Sequence, residues 1–378
     1  MKITYTVFIL LLFSLSAQAQ ELNFNGMAMG FTNYTPKEDH QLWSGARYLP
    51  ELEYRHMLDS ASAFTINVSA NIYGSMKYVG ERPYYEGQVS PYRFWARYSH
   101  DNLEIRLGLQ KIDFGSSSML RPMQWFNGID PRDPLGLTDG VYALLGRYYF
   151  QNNANIWLWG LYGNENRRGT DLFKTDRKAP EYGGRFQYPT AKGELAVSFH
   201  HKSLYDDELQ ENNLIQGPEN KIGLDGKWDL GIGLWFEATY TQSDFVQEEL
   251  APFKNQGLLD VGLDYTLGIG NGLYVGGEHL LSAYAQDPTF GGPREIMNTT
   301  ALQTNYPLTF DDNISFMVYH LWESQQTAYF MNFQHNFRRL SAYMMVYYNP
   351  DVRSNIPTND FNQMSAGWGA RLMLVYNH

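Results

Sequence analysis

Residues 259–267, LDVGLDYTL, set Leu259, Val261, Leu263, Tyr265 and Leu267 against Asp260, Gly262, Asp264 and Thr266. Successive side chains of a strand point to opposite faces, so a period of two marks a strand with one apolar and one polar side. The same period recurs along the chain. Leu103, Ile105, Leu107 and Leu109 alternate with Glu104, Arg106, Gly108 and Gln110, and Phe64, Ile66, Val68, Ala70 and Ile72 with Thr65, Asn67, Ser69 and Asn71. Near the C-terminus Trp368, Ala370, Leu372, Leu374 and Tyr376 alternate with Gly367, Gly369, Arg371, Met373 and Val375. Helical spacing fits none of these runs. The chain reads as all-β.

Alternation alone would also suit a soluble sandwich, so composition has to separate the two. The 378 residues include 28 Tyr, 22 Phe, 9 Trp and 34 Gly, and no cysteine. Residues 1–19 carry Lys2, the apolar run VFILLLF and a small-residue site at Ala17-Gln18-Ala19, the pattern of a cleavable signal peptide. The remaining residues, 20–378, show no composition shift or linker and are expected to form a single domain. No other apolar run approaches the roughly 20 residues that a membrane helix needs. An exported, aromatic-rich chain without such a helix can span a membrane only as a closed β-barrel. The net charge of −11 disfavours nucleic acid as a partner.

About 18 alternating segments can be counted, with 16 as the neighbouring even number. Their connections alternate in length. Short turns fall at 58–60, 99–102, 151–153, 189–193, 229–231, 268–272, 309–312 and 337–339. Long polar stretches fall near 31–46, 73–91, 114–140, 164–180, 203–218, 243–256, 284–298 and 349–363, with ESQQ at 323–326 short where a long one is due. Short periplasmic turns and long extracellular loops are the asymmetry of a transmembrane antiparallel up-and-down β-barrel in a Gram-negative outer membrane. Outer-membrane lipid is then one partner, and a homotrimer is left open.

Residues opposite the lipid-facing set point into the lumen. Five arginines fall there, Arg93, Arg97, Arg106, Arg147 and Arg185, and five carboxylates, Asp225, Glu237, Asp260, Asp264 and Glu278. The expectation is a water-filled bore, basic on one wall and acidic on the opposite one. Between two arginine-bearing strands lies the stretch 114–140, with two Asp-Pro steps at Asp130-Pro131 and Asp133-Pro134. Proline cannot continue a helix or a central strand, so this stretch must be a loop. A long loop folded into the lumen would narrow the pore. Asp113, Trp125, Phe126, Asp130, Asp133 and Asp139 are its candidate constriction residues, with the carboxylates expected to face the arginines.

Arg106-Leu-Gly108-Leu-Gln110, then Phe114-Gly115 and an Asp-Pro-rich loop, resembles the corresponding region of porin-type outer-membrane barrels. Phosphate-selective porins and the 18-stranded alginate-export type are similar there. The resemblance covers about 45 residues. It implies passive diffusion of small, often anionic, hydrophilic solutes, with Arg106 as a wall arginine and 114–140 as the constriction. It carries over no ligand.

Other signals are weaker. Leu267-Gly-Ile-Gly-Asn-Gly272 imitates a phosphate loop but opens no helix, and the acidic loop lacks a dedicated calcium spacing. His200-His201 has no evident partners for zinc. His320 and His335, with Ser324 and Ser341 nearby, raise lipid hydrolysis without any supporting motif. Neither metal nor cofactor is expected. The functions in contention are a porin, a plugged barrel acting as scaffold or adhesin, and a lipid-modifying enzyme.

Overall fold

The computed structural model describes residues 20–36, 42–79, 82–206, 215–245, 253–350 and 366–378; the leader expected at 1–19 lies outside these. Eighteen strands follow in order: β1 Gln20–Tyr34, β2 Leu42–Met57, β3 Ser62–Val79, β4 Arg82–His100, β5 Leu103–Gln110, β6 Val141–Tyr149, β7 Asn155–Leu161, β8 Glu181–Thr190 and β9 Gly193–Asp206. The second half comprises β10 Ile215–Asp229, β11 Gly233–Ser243, β12 Asn255–Leu267, β13 Leu273–Ala285, β14 Arg294–Pro307, β15 Asp312–Leu321, β16 Gln326–Asn336, β17 Leu340–Asn349 and β18 Gly367–Asn377. Each strand pairs antiparallel with its sequence neighbours. β1 also pairs with β18, from Met27↔Asn377 to Tyr34↔Ala370, and this closes the sheet into a barrel. Closure gives every strand a partner on both sides, as a membrane demands.

The period of two sorts the faces as the alternation predicts. Leu259, Val261, Leu263 and Tyr265 are exposed on the outside, while Asp260 and Gly262 between them are buried within. On β18 Leu372 and Leu374 face out, and Arg371, Met373 and Val375 face in. Continuous exposed apolar surface of this extent calls for lipid rather than water around it.

At one end the connections span two to five residues; at the other lie 111–140 and 162–180, the longest among the described ones. One expected long loop is instead strand. Residues 73–91 extend β3 and β4 as a paired ladder from Ala70↔Pro91 to Val79↔Arg82. Polar composition suggested a loop there, but the β4 half, 82–89, is exposed on both faces and needs no apolar side. On the β3 half only Tyr73, Ser75 and Lys77 turn toward the inner wall, Tyr73 against the buried cluster and Lys77 over Trp43. A bulge at Ser69/Ala70 absorbs Tyr92 beside Pro91, which has no N–H for the ladder.

The interior is not uniformly polar. Phe31, Met317, Phe330, Met345, Met373 and Val375 point inward on β1 and β15–β18 and form a buried cluster against which Leu135 packs. A second cluster joins Ile112, Phe114, Met123, Trp125 and Phe126 to Leu145, Trp159 and Leu161 on β6 and β7. Apolar residues belong inside a barrel only where something covers them, and here the covering element is loop.

Candidate functional site: the lumen and its two inward loops

The loop 111–140 leaves β5, enters the barrel and is anchored on the inner wall of β10–β13. Ser117 N and Met123 N donate to Glu237, at 2.7 and 2.9 Å. Ser118 N and Leu120 N each reach Glu278 at 2.6 Å and Met119 N at 2.9 Å, while Ser118 Oγ donates to the same carboxylate at 2.9 Å. Ser117 Oγ donates to Asp260 at 2.6 Å, and Ser116 Oγ to Asp225 at 3.3 Å. A buried stretch of irregular backbone must find acceptors for its N–H groups, and carboxylates give charge-assisted bonds. Four of the five carboxylates singled out from sequence are thus covered by the loop rather than open to a bore. The fifth, Asp264, accepts from Tyr274 Oη at 3.2 Å nearer the short-turn end. Gly115 has φ +107°, and a Cβ there would collide with the Glu237 carboxylate, which accounts for the aromatic-Gly step.

The loop's own acids are largely spent within it. Asp113 binds Arg121 at 2.6 Å and Lys111 at 3.2 Å. Asp130 takes a forked bond from Arg132, whose Nη1 also reaches Asn349 on β17. Asp133 accepts the backbone N–H of Leu135 and Leu137, which fixes the second Asp-Pro turn. Asp139 lines a cavity of about 550 Å³ between the loop and the wall of β1–β4 and β18. Trp125 and Phe126 are buried against β6, β7 and the His200 ring, not presented to open space.

The arginines divide into three settings. Arg93 lies over Tyr92 and donates to the Thr138 carbonyl at 2.8 Å, tying the loop's return to β4. Arg97, Arg106 and Arg147 surround Glu104, at 3.7, 3.0 and 3.6 Å, with the first two beside Trp95 and the third over Trp157. Arg185 makes a two-pronged pair with Asp225, at 2.6 and 2.8 Å, buried over Phe114. The expected opposite walls are therefore adjacent ones that meet at this pair, because β8 and β10 are separated by a single strand.

Residues 162–180 form a second inward loop whose partners went unrecognised in the sequence. Arg168 binds Glu181 at 2.5 Å, His200 also contacts Glu181 at 3.2 Å, and Arg167 binds Asp206 at 2.9 Å. Asp171 receives Lys202 at 2.6 Å and also Lys221, with Glu219 close to both ammoniums. Burial alone would push the Asp171 carboxyl up; Lys202, Lys221 and Arg168 outweigh it and hold the group well below the usual carboxylate range. The inward pairs His200/Lys202 and Glu219/Lys221 were readable from alternation, but nothing in the sequence says which loop acid meets them.

The two loops touch. Gly169, at φ +49°, lies so close to the Gln124 carbonyl that a Cβ would overlap it. Gly169→Val should therefore pry the loops apart and lower the thermal unfolding midpoint by several degrees, of the order expected for about 1–3 kcal/mol of backbone strain and lost packing. An unchanged midpoint would show that the loops are not keyed there.

His320 bonds Thr327 and His335 bonds Asp312, each through Nδ1, while Ser341 Oγ donates to Asn336. Both Nδ1 atoms are thus bonded to groups other than Ser324 and Ser341.

A closed antiparallel barrel of 18 strands with loops folded inside defines the porin-type outer-membrane fold. The chain is similar in fold to OccAB3 of Acinetobacter baumannii, at 10% identity and TM-score 0.56 over 95% of this chain and 99% of that one. It is similar also to the trimer form of OmpT, an outer membrane protein of Vibrio cholerae, at 10% identity and TM-score 0.55 over 96% and 100%. OmpF of Salmonella typhi, solved with daunomycin, matches at 11% identity and TM-score 0.51 over 94% and 97%. No family model and no curated relative matches the chain.

Proposed function

We propose that this protein is an outer-membrane channel through which small hydrophilic solutes, anions in preference, diffuse passively. The observation that carries the reading is the cluster of Arg97, Arg106 and Arg147 around one carboxylate: three cations against one anion, on the short-turn side of the inward loop and partly accessible from the lumen. Uncompensated charge at a narrow, water-filled place raises the local concentration of the opposite ion. The 111–140 loop acts as the constriction, and the leader at 1–19 directs export. The short turns face the periplasm. A homotrimer, the form named for the Vibrio cholerae protein, is part of the same proposal.

In planar bilayers the protein should give discrete conductance steps. Arg93→Ala combined with Arg97→Ala should move the reversal potential under a salt gradient toward cation preference, since two wall cations are lost. No shift would remove the basic wall from the account.

A plugged barrel serving as scaffold is the second reading, and the number of wall carboxylates consumed in seating the loop favours it. An absence of stable steps from correctly folded protein would decide for it.

A further inference from the structure

Arg97 and Arg106 stand directly opposite each other on β4 and β5, and Glu104 directly opposite Arg147 on β6. Like charges facing across a ladder repel, so the arrangement holds only with a counter-charge between them. Glu104 supplies one, and its carboxylate is the sole anionic group within 4.0 Å of all three guanidiniums among the described residues. Three positive charges against one leave two in excess.

The donors are also in excess. Arg106 Nη2 donates to Glu104 at 3.0 Å, and Arg97 Nη2 reaches Thr65 Oγ1 at 3.4 Å. The Nε–H of Arg97, of Arg106 and of Arg147, together with the indole N–H of Trp157 beside them, are buried and have no hydrogen-bond partner. A buried donor left unpaired is costly, and here four stand together beside two surplus positive charges, a setting that suits acceptor oxygens. Trp95 and Trp157 keep the guanidinium planes in position by stacking, so the donors stay aimed when the occupant changes.

We propose that Arg97, Arg106 and Arg147 form an oxyanion-binding site inside the lumen, and that Glu104 is a resident counter-anion which keeps a passing oxyanion from being retained. The inference rests on the anion-channel reading and deepens it. A channel must bind its solute well enough to admit it and weakly enough to release it. Three guanidiniums without Glu104 would hold a phosphate or carboxylate group by forked bonds. With Glu104 present, an arriving oxyanion gains the surplus donors but meets a carboxylate already in place, so its stay is short. Glu104 is a positioning and specificity residue, and its effect appears in residence and selectivity.

The test compares wild type, Glu104→Gln and Glu104→Asp in planar bilayers, with chloride carrying the current and inorganic phosphate added as blocker. Glu104→Gln should lower the half-blocking phosphate concentration by about tenfold, one decade of affinity, and move the reversal potential toward anions; Glu104→Asp should restore wild-type behaviour. A Gln variant blocked at the wild-type concentration, or one whose reversal potential stays put, would overturn the inference. A merely structural Glu104 would change stability and leave block and reversal potential alone. If wild type itself gives no steps, the channel reading fails separately. Calorimetric titration of phosphate into the detergent-solubilised Gln variant and wild type then decides: tighter binding by the variant supports the site, and equal binding sinks it. Should the Gln variant fail to fold, Arg106→Lys serves in its place, because a compact ammonium keeps the charge but loses the fork; it should need more phosphate for block, and unchanged block would overturn the site.

Discussion

Replacing Glu278 with alanine should free the front of the 111–140 loop and raise single-channel conductance severalfold. One carboxylate on β13 accepts three consecutive backbone N–H groups, the Ser118 hydroxyl and the indole N–H of Trp235. Hydrogen bonds to a charged acceptor contribute about 1.5–3 kcal/mol each, and removing the acceptor strands the donors in a buried place. Such losses do not add in full, because water enters. A local destabilisation of roughly 3–5 kcal/mol remains, enough to shift the loop from docked to mostly released. Glu278→Gln keeps an acceptor and loses the charge, so it should fall between. Deleting 118–136 gives the upper limit of conductance against which both can be read. Equal conductance in all three and in wild type would mean that the loop does not restrict the path.

The second large effect is expected at Asp171, where one loop carboxylate is shared by Lys202 and Lys221 with Arg168 close by. Asp171→Asn leaves these cations buried with too little counter-charge, a change that commonly costs about 3–5 kcal/mol. The loop 162–180 should then undock, the unfolding midpoint should drop, and trypsin should cut after Arg167 or Arg168, which wild type protects. The carboxyl is held below its ordinary value, near 3.9 in an unfolded chain. Its contribution is therefore complete above that value and is lost as pH falls through the lower folded one. Wild type should keep the loop docked at about pH 4 and release it only in stronger acid, as read by pepsin cleavage, whereas Asp171→Asn should lack this acid step. Identical acid profiles would remove Asp171 from the clamp.

Much of the fold was legible because a barrel wall is a local object. Alternation at Leu259–Leu267 and at Trp368–Tyr376 states which side meets lipid, and the count of such runs is the count of strands. The stretch 73–91 misled because composition distinguishes loop from strand only when one face must be apolar, and the exposed 82–89 half of this ladder has no such face. In the lumen, Arg93, Arg97, Arg106, Arg147 and Arg185 all point inward, yet alternation is blind to partners. It could not separate Arg185, consumed by Asp225, from the trio around Glu104. Nor could it foresee that Glu237, Asp260 and Glu278 receive loop N–H groups, since those donors belong to backbone and have no residue signature. Phe114-Gly115 was the one local hint, and its reason emerged only with the Glu237 carboxylate pressed against the glycine.

From the sequence alone follow the all-β class, the antiparallel barrel with 18 as its favoured strand count, the sidedness of nearly every strand and the loop imposed by two Asp-Pro steps, because each depends on residues at most a few positions apart. The folded chain decided how the inside is filled: which loops enter, which carboxylates they consume, and where positive charge is left over. Those outcomes depend on contacts between residues more than a hundred positions apart, such as Ser117 with Glu237 and Ser118 with Glu278, and such pairs are chosen by the geometry of closure, which no single segment encodes.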